Sequence, residues 1–339
     1  MRHVNIPIFI PHLGCPNNCV FCNQRSISGH EEFNISSVRE EIEAVLSTVG
    51  DDDECEIAFF GGSFTGIDRE LMVKLLNIAE EYVAAGKVES IRLSTRPDYI
   101  SEEILDILSH YSVRTIELGL QSMCDEVLEA SKRGHTRECA ERACGLIKLR
   151  GFSLIGQMMI GLPNSDIDKE RKTAEIICSL GADGARVYPT VVFFDTELCE
   201  MARAGAYVPL DTADAVERTA AVLDVFDEAG LPVIRVGLCA SDNLSDDSKV
   251  YGGASDAAIG EMAMSELYFS RICRKIDGEF SGDTEGKELT VYVKKGNVSK
   301  AVGQKKTNKT KLMQKYGFKS IKVLEKSSIL SYNILLSIN

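Results

Sequence analysis

Strand-like and helix-like segments alternate through the first two-thirds of the sequence, and this alternation limits the fold more than any other feature. Short apolar runs predict strands, and amphipathic patterns opened by Ser, Thr or Asp and often closed by Gly predict helices. The predicted strands span residues 4–10, 56–60, 90–94, 115–120, 154–160, 185–191 and 233–237, and the predicted helices span residues 38–49, 68–85, 101–111, 137–150, 166–180 and 212–229. Such repeated β/α winding predicts an α/β fold, a partial (β/α)6-type barrel with its chemistry on the loops that follow the strands.

Three cysteines follow the first predicted strand in a loop. They are Cys15, Cys19 and Cys22, and their spacing is C-x3-C-x2-C. Three thiolates can hold three corners of a cubane iron–sulfur cluster and leave one iron open for a small molecule. His12 lies three residues before Cys15 and would instead complete a Cys3His zinc site. The spacing alone therefore predicts a metal centre, with an iron–sulfur cluster and structural zinc as the alternatives.

A glycine pair follows the second predicted strand, in the segment Gly61-Gly62-Ser63. Glycines let the backbone approach a ligand closely, and the exposed amides and carbonyls can hold a charged amino acid end. A Gly-Gly pair alone more often marks a turn.

Polar side chains interrupt or close several of the predicted strands. Gln121 ends the fourth strand, and Gln157 lies within an apolar strand that would face the barrel interior. A buried polar group without a partner costs about 1–3 kcal/mol, so such positions favour a functional role. Arg133 follows in the segment 132–136 and could hold a carboxylate through its bidentate fork, with a surface ion pair as the alternative.

These phrases together resemble the radical S-adenosylmethionine (SAM) superfamily, and within it a bacterial elongator-protein-3-like branch that lacks the acetyltransferase domain. The resemblance covers residues 5–240 and rests on the cysteine loop and on the ordered motifs at 94–99, 120–122, 132–136, 158–164 and 187–190. It implies a radical SAM barrel with a [4Fe–4S] cluster on the three cysteines and SAM as the second cofactor.

The resemblance also implies roles for individual residues around SAM. Phe21 would lie against the adenine, and Gly61, Gly62 and Ser63 would hold the amino group. Arg133 would hold the carboxylate, and we assign Gln121 and Gln157 to the same cofactor site.

The sequence departs from that family in three ways. The best-known members modify the wobble uridine of tRNA with acetyl-CoA, using a separate acetyltransferase domain. Here about a hundred residues follow residue 240, without a recognisable acetyl-CoA phosphate loop. Ser94 stands where relatives commonly have a glutamate, and Arg186 where they commonly have a lysine. We therefore expect SAM cleavage, but not acetyl-CoA chemistry.

The charge distribution is uneven along the chain. The formal net charge is −13, yet the segment 287–326 holds twelve lysines against Glu288 and Glu325. A basic appendage on an acidic enzyme predicts a nucleic-acid contact, although a charge run is often only a solvated face. No apolar run has the length of a membrane span and the start lacks a secretory signal, so we expect a cytoplasmic protein without a membrane partner.

The basic C-terminal segment resembles half of a KH RNA-binding module. Strands are predicted at 289–293 and 320–324 and helices at 297–302 and 307–316, with a loop at 303–306. In KH modules a Gly-x-x-Gly loop between two helices clamps the nucleic-acid backbone, but here Lys306 replaces the second glycine. A structural or protein-binding role is the alternative. The predicted RNA contacts are Gly303, Lys305, Lys306, Lys309 and Lys311.

The predicted domains are a barrel core at 1–240, a connecting segment with a helix at 241–283, and a KH-like module at 284–339. The leading functional hypothesis is a radical SAM enzyme that modifies RNA, most plausibly tRNA, with an electron donor such as flavodoxin or ferredoxin. The alternatives are a radical SAM enzyme with a small-molecule or tetrapyrrole substrate, and a non-catalytic, zinc-stabilised RNA-binding protein.

Overall fold

A parallel seven-stranded sheet forms the larger part of the computed structural model, which describes residues 3–10, 13–15, 19–22, 33–50, 52–238, 246, 248–280 and 284–339. The strand order is β1-β2-β3-β4-β5-β6-β8, so each strand pairs with the next in an unclosed series. These strands are β1 (His3–Ile10), β2 (Glu54–Gly61), β3 (Ser90–Thr95), β4 (Val113–Gln121), β5 (Ser153–Ile160), β6 (Gly184–Pro189) and β8 (Val233–Val236). The predicted partial barrel of β/α units is confirmed.

Helices connect the strands of this half-barrel and cover its outer face. They are α1 (Val38–Leu46), α2 (Arg69–Ala84), α3 (Glu102–Leu108), α5 (Arg137–Leu149), α6 (Ile167–Ser179) and α8 (Thr212–Glu228). Their starts follow from side-chain caps: Asp68 accepts from the Leu71 amide, and Thr136 accepts from the Cys139 amide. The apolar helix faces and the outward strand residues bury one continuous core.

Shorter elements between these units escaped the sequence analysis. The structure adds helices α4 (Asp125–Ala130) and α7 (Glu197–Arg203), and an antiparallel pair formed by β7 (Val191–Phe193) and β9 (Val250–Gly253). Six or seven helical residues span fewer than two turns, and a three-residue strand is too short to show an alternation.

The C-terminal residues form a second, three-stranded sheet in the order β11-β10-β12. Its strands are β10 (Glu288–Val293), β11 (Ser320–Glu325) and β12 (Leu335–Ile338), with α10 (Val298–Val302) and α11 (Thr307–Tyr316) between the first two. β10 and β11 are parallel, and β12 is antiparallel to β10. The predicted α+β appendage is therefore present, with β12 as an additional strand.

Helix α9 (Ile259–Glu279) joins the half-barrel to this second sheet. Its residues Tyr268, Ile272 and Ile276 are buried in the core of the C-terminal sheet. Toward the barrel, the guanidinium of Arg271 reaches the Asp224 carboxylate on α8 at 2.7 Å. One helix thus contacts both parts of the molecule, and the domain boundaries given above stay a prediction. No helix in the described part of the chain is long and apolar enough to cross a membrane.

Candidate cofactor site

The cysteine loop lies at the carboxyl ends of the strands, next to the loop after β2. Cys19 is buried, while Cys15 and Cys22 are half-buried, and none of the three forms a disulfide. Burial raises the pKa of the Cys15 thiol, and the Arg96 guanidinium opposes that shift. Among the described residues, no three His, Cys, Asp or Glu side chains are already grouped to hold a metal ion. The structure therefore does not itself bring the three thiols together, and His12 lies outside the described residues.

Glycines allow the cysteine loop to lie directly against the loop that follows β2, called the glycine loop below. A Cβ at Gly62 would lie 2.1 Å from the Leu13 carbonyl oxygen, and a Cβ at Gly14 would lie 2.2 Å from the Ser63 carbonyl oxygen. The Ser63 amide donates to the Leu13 carbonyl at 3.1 Å. Real Cβ atoms do not tolerate such distances, so only glycine permits this backbone contact.

Arg133 is buried and directs its fork at the cysteine loop. Its Nη1 lies 3.1 Å from Cys19 Sγ, and its Nη2 donates to the Gly119 carbonyl at 2.7 Å. The surface ion pair is thereby excluded as the explanation of this residue. Because a fork held on one side by a strand carbonyl has a fixed direction, Arg133 presents a positive charge at Cys19.

Arg96 is a second buried guanidinium at the same thiol, and the sequence analysis did not identify it. Its Nη1 lies 3.9 Å from Cys19 Sγ, and its Nε and Nη2 both contact the Asp98 carboxylate at 2.9 Å. Nη2 also donates to the Arg133 carbonyl oxygen. Arg96 lies in the segment 94–99, which is one of the motifs shared with the family. That position could have marked Arg96 as a candidate site residue.

Ser63 holds the glycine loop to β3 through hydroxyl groups. Its Oγ lies 2.8 Å from Thr95 Oγ1, which in turn lies 2.6 Å from Thr65 Oγ1. The Arg96 amide also donates to Ser63 Oγ at 3.1 Å. The Ser63 side chain is therefore occupied within the protein, and the Gly62 and Ser63 amides likewise donate to the Ile10 and Leu13 carbonyls.

Gln121 and Gln157 take different positions along the strands. Gln121 has a left-handed backbone, with φ 65°, at a register shift between β4 and β5. Its Oε1 is buried without a hydrogen-bond partner among the described residues. Gln157 lies deeper and donates to the Glu117 carboxylate at 2.8 Å. An acceptor left unpaired at the mouth is available to a ligand, whereas the Gln157 amide already serves the barrel interior.

A network of ion pairs fills the inside of the half-barrel, and sequence reasoning missed its centre. Glu117 on β4 is fully buried and accepts from Arg92 on β3 and Arg186 on β6, each at 2.9 Å. Arg92 also reaches Glu56 on β2 at 2.8 Å. Burial by itself lowers the pKa of Arg186. The Glu117 carboxylate opposes this, and the pKa is raised above its ordinary value. Because these polar residues face inward, the interior of the half-barrel, called the chamber below, is charged. The outer face of the sheet, in contrast, is apolar.

His135, in the Lys-Arg-Gly-His-Thr motif, is buried beside the two guanidiniums. Burial lowers its pKa to about 4, and the positive charges of Arg133 and Arg96 act in the same direction. A neutral imidazole therefore stands next to the cysteine loop at physiological pH.

Phe21 packs as a half-buried ring against Val192, Leu198 and Cys199, beside β7 and α7. The Leu198 amide also donates to the Val20 carbonyl at 2.8 Å. Strand β7 and helix α7, which the sequence analysis did not predict, therefore contact the end of the cysteine loop.

The lysines predicted to contact RNA lie around the turn between α10 and α11. Lys305 and Lys306 are exposed and have left-handed backbones, with φ 52° and 65°. Gly303 is constrained too, because a Cβ there would lie 2.5 Å from Thr307 Oγ1. Lys309 is half-exposed on the next turn, and Lys311 pairs with Glu266 at 3.3 Å.

Comparison with known families identifies the class of protein that this fold and site define. The family model described as the radical SAM superfamily matches residues 9–177, and the model described as the radical SAM C-terminal domain matches residues 182–268. The chain therefore belongs to the radical SAM superfamily, whose members are enzymes.

Individual relatives show which members of the superfamily the chain is similar to. A tRNA uridine(34) acetyltransferase of Methanocaldococcus infernus is 28% identical over 244 residues, which are 60% of this chain and 46% of that protein. Elongator complex protein 3 of Homo sapiens is 26% identical over 254 residues, 63% of this chain and 46% of that protein. The chain spans less than half the length of these curated relatives, and it is homologous to their radical SAM region.

A solved structure shares the fold. The Elp3 protein of Methanocaldococcus infernus, with an N-terminal deletion, superposes with a TM-score of 0.63 at 20% identity and covers 80% of this chain and 63% of its own. The radical SAM family implies SAM and a [4Fe–4S] cluster. The residues present suit both groups: three cysteines outside any disulfide, a neighbouring loop that only glycine permits, a Gln121 oxygen without a hydrogen-bond partner among the described residues, and a guanidinium at Cys19.

Proposed function

We propose that this protein is a radical SAM enzyme that modifies RNA, with tRNA as its substrate. The observation that carries the cofactor part is the convergence of Arg133 and Arg96 on Cys19, beside a loop that only glycine permits. When bound, the cluster supplies the electron that cleaves SAM to methionine and a 5′-deoxyadenosyl radical.

The protein's own residues bind and orient the two cofactors. Cys15, Cys19 and Cys22 supply three thiolates, and the Arg133 guanidinium offers the SAM carboxylate a cationic partner. Backbone carbonyls of the Gly61–Ser63 loop accept from the amino group of SAM, which is a hydrogen-bond donor. Gln121 Oε1 accepts from a polar group of SAM.

An RNA substrate has two supports. The curated relatives named above include a tRNA uridine(34) acetyltransferase. Independently, twelve lysines lie in the C-terminal segment of an otherwise acidic chain. Lysines that neutralise phosphates give such a surface affinity for nucleic acid without sequence preference. A flavodoxin or ferredoxin would supply the electron, and we propose a cytoplasmic setting.

Anaerobic reconstitution tests the cluster assignment. We expect about four iron and four sulfide per chain with thiolate-to-iron charge-transfer absorption, and loss of both in a Cys19→Ala variant. Cys178→Ala, at a half-buried thiol on α6, is the matched control and keeps its iron. Near-stoichiometric zinc without that absorption would instead favour a zinc-stabilised protein.

Crosslinking tests the substrate. RNA held by the anaerobically purified protein in cell extract is crosslinked and sequenced, and we expect enrichment of tRNA over total RNA. Absence of RNA, with SAM cleavage intact, would favour a small-molecule or tetrapyrrole substrate.

A further inference from the structure

The C-terminal sheet has one face buried by helices and one face open. On the buried face Leu289, Val291 and Val293 of β10 pack against α9, α10 and α11. Because strand side chains alternate, Thr290 and Tyr292 point to the other side. This open face is separate from the loop at 303–306, where the KH resemblance would put the nucleic acid.

An apolar row crosses the open face from edge to edge. Tyr292 on β10 pairs with Leu324 on β11 and with Leu335 on β12. Leu324 is 46% exposed and Leu335 is 42% exposed, while the tyrosine between them is half-buried. Three large side chains therefore lie in register on this face, and the two leucines are exposed.

The charge around this row is positive. Lys326 places its Nζ 5.6 Å from the centroid of the Tyr292 ring, and Lys322 is exposed on the next row of β11. The only acidic residue of the three strands on this face is Glu288, and it already lies 3.6 Å from Lys322. A ring framed by leucines and lysines suits an anionic polymer that carries planar groups better than it suits an apolar protein surface.

We infer that this open face is a stacking platform for unpaired bases of RNA, with Tyr292 as the ring on which a base lies. Aromatic side chains on an exposed sheet accept bases of any sequence, because every base has a π face, and a neighbouring ammonium meets the adjoining phosphate. The inference rests on the proposed RNA function and names the part of the RNA that binds: a single-stranded loop or end, at the sheet and not only at the lysine turn.

Salt dependence separates stacking from charge. Affinities for total tRNA and for oligouridylate are measured by fluorescence anisotropy at several salt concentrations, using the full-length, cluster-containing protein. We expect Tyr292→Ala to weaken binding about tenfold at every salt concentration, with an unchanged slope. Tyr292→Phe keeps the ring and restores affinity. Leu149→Ala, at a 78% exposed leucine on the barrel, is the control and binds normally.

Photocrosslinking locates the contact directly. Oligouridylate containing 4-thiouridine is crosslinked to the wild-type protein, and mass spectrometry is expected to find the modified peptide around Tyr292. If the wild-type protein binds tRNA but Tyr292→Ala binds equally well and crosslinks map elsewhere, the platform is wrong and the RNA function stands. If the wild-type protein binds neither RNA, the RNA function fails and the platform with it.

Discussion

At the scale of single residues, the direction of one guanidinium decides what it can bind. Arg133 is fixed by the Gly119 carbonyl and points at Cys19, in the place where the family resemblance expects a partner for the SAM carboxylate. Charge-assisted hydrogen bonds are worth about 1.5–3 kcal/mol. We therefore propose Arg133 as a cofactor-binding group whose loss should leave the fold intact.

We predict that Arg133→Ala weakens SAM binding about tenfold or more, because it removes the cationic partner of the carboxylate. Iron content should stay at the wild-type level, since the thiols are unchanged. Equilibrium binding of SAM to the reconstituted protein and iron analysis measure both effects. Arg137→Ala, at an exposed residue paired with Glu141, is the matched control. Equal SAM affinity in the two variants would remove Arg133 from the cofactor site.

We predict that His135 makes the cluster-free protein acid-sensitive in a defined window. Its folded pKa of about 4 lies below the ordinary value of 6.5, so between these values the unfolded state binds more protons. Stability from this group is therefore complete above pH 6.5 and falls, by about 1.4 kcal/mol per unit, as the pH drops toward 4.

Urea unfolding of the cluster-free protein at pH 7 and pH 5 checks this, and His135→Gln should lose less stability than the wild type over that interval. His110→Gln, at an exposed histidine, should behave like the wild type. A histidine resonance of the folded protein that titrates near pH 4 and is missing from the His135 variant would identify the group. Titration of that resonance near 6.5 would show that the environment leaves the imidazole unperturbed.

At the scale of secondary-structure elements, the strands of the half-barrel are tied together inside as well as by their backbones. We predict that Glu117→Ala destabilises the protein by about 3–5 kcal/mol, because it leaves Arg92 and Arg186 as buried charges without their shared carboxylate. Urea unfolding measures the loss. Glu81→Ala breaks an exposed pair with Arg39 and should cost less than about 1 kcal/mol. Similar costs for the two variants would mean that water reaches the chamber.

The turn between α10 and α11 carries two left-handed lysines. We predict that Lys306→Gly stabilises the protein by roughly 0.5–1 kcal/mol, because glycine adopts φ 65° without a steric penalty. Lys309→Gly removes the same charge inside α11, where glycine is unfavourable by about 1 kcal/mol, and should destabilise. Thermal unfolding compares the two variants. Destabilisation by both would show that the Lys306 side chain contributes more than its backbone costs.

The sequence predicts what repeats over many residues and misses what depends on tertiary contacts. The helix at Thr307–Tyr316 has the predicted bounds, and all seven strands of the half-barrel begin and end within two residues of the predicted positions. The cysteine spacing and the glycine pair were visible as local motifs. The role of Glu117 was not visible, because it depends on ion pairs with Arg92 on β3 and Arg186 on β6. These residues are distant in the sequence and meet Glu117 only in the folded sheet.

At the scale of the whole molecule, charge is separated along the chain. We predict that replacing Lys305, Lys306, Lys309 and Lys311 with Gln lowers the affinity for total tRNA and flattens its dependence on salt. Each lost phosphate contact should reduce the slope by about 0.7 for single strands, because fewer counterions are released. Four exposed barrel lysines replaced in the same way are the control, and SAM cleavage without RNA should survive in both. An unaltered slope would assign this basic turn to another role.

The unclosed sheet has a consequence for how a long polymer meets the chamber. β1 and β8 are the two edge strands of the described sheet and do not pair with each other, so the half-barrel has a lateral seam. A nucleotide in the middle of a folded RNA has no free end to thread through a ring. On the proposed RNA function, such a seam would let a nucleotide enter sideways and leave the same way, with the rest of the RNA remaining outside on the surface.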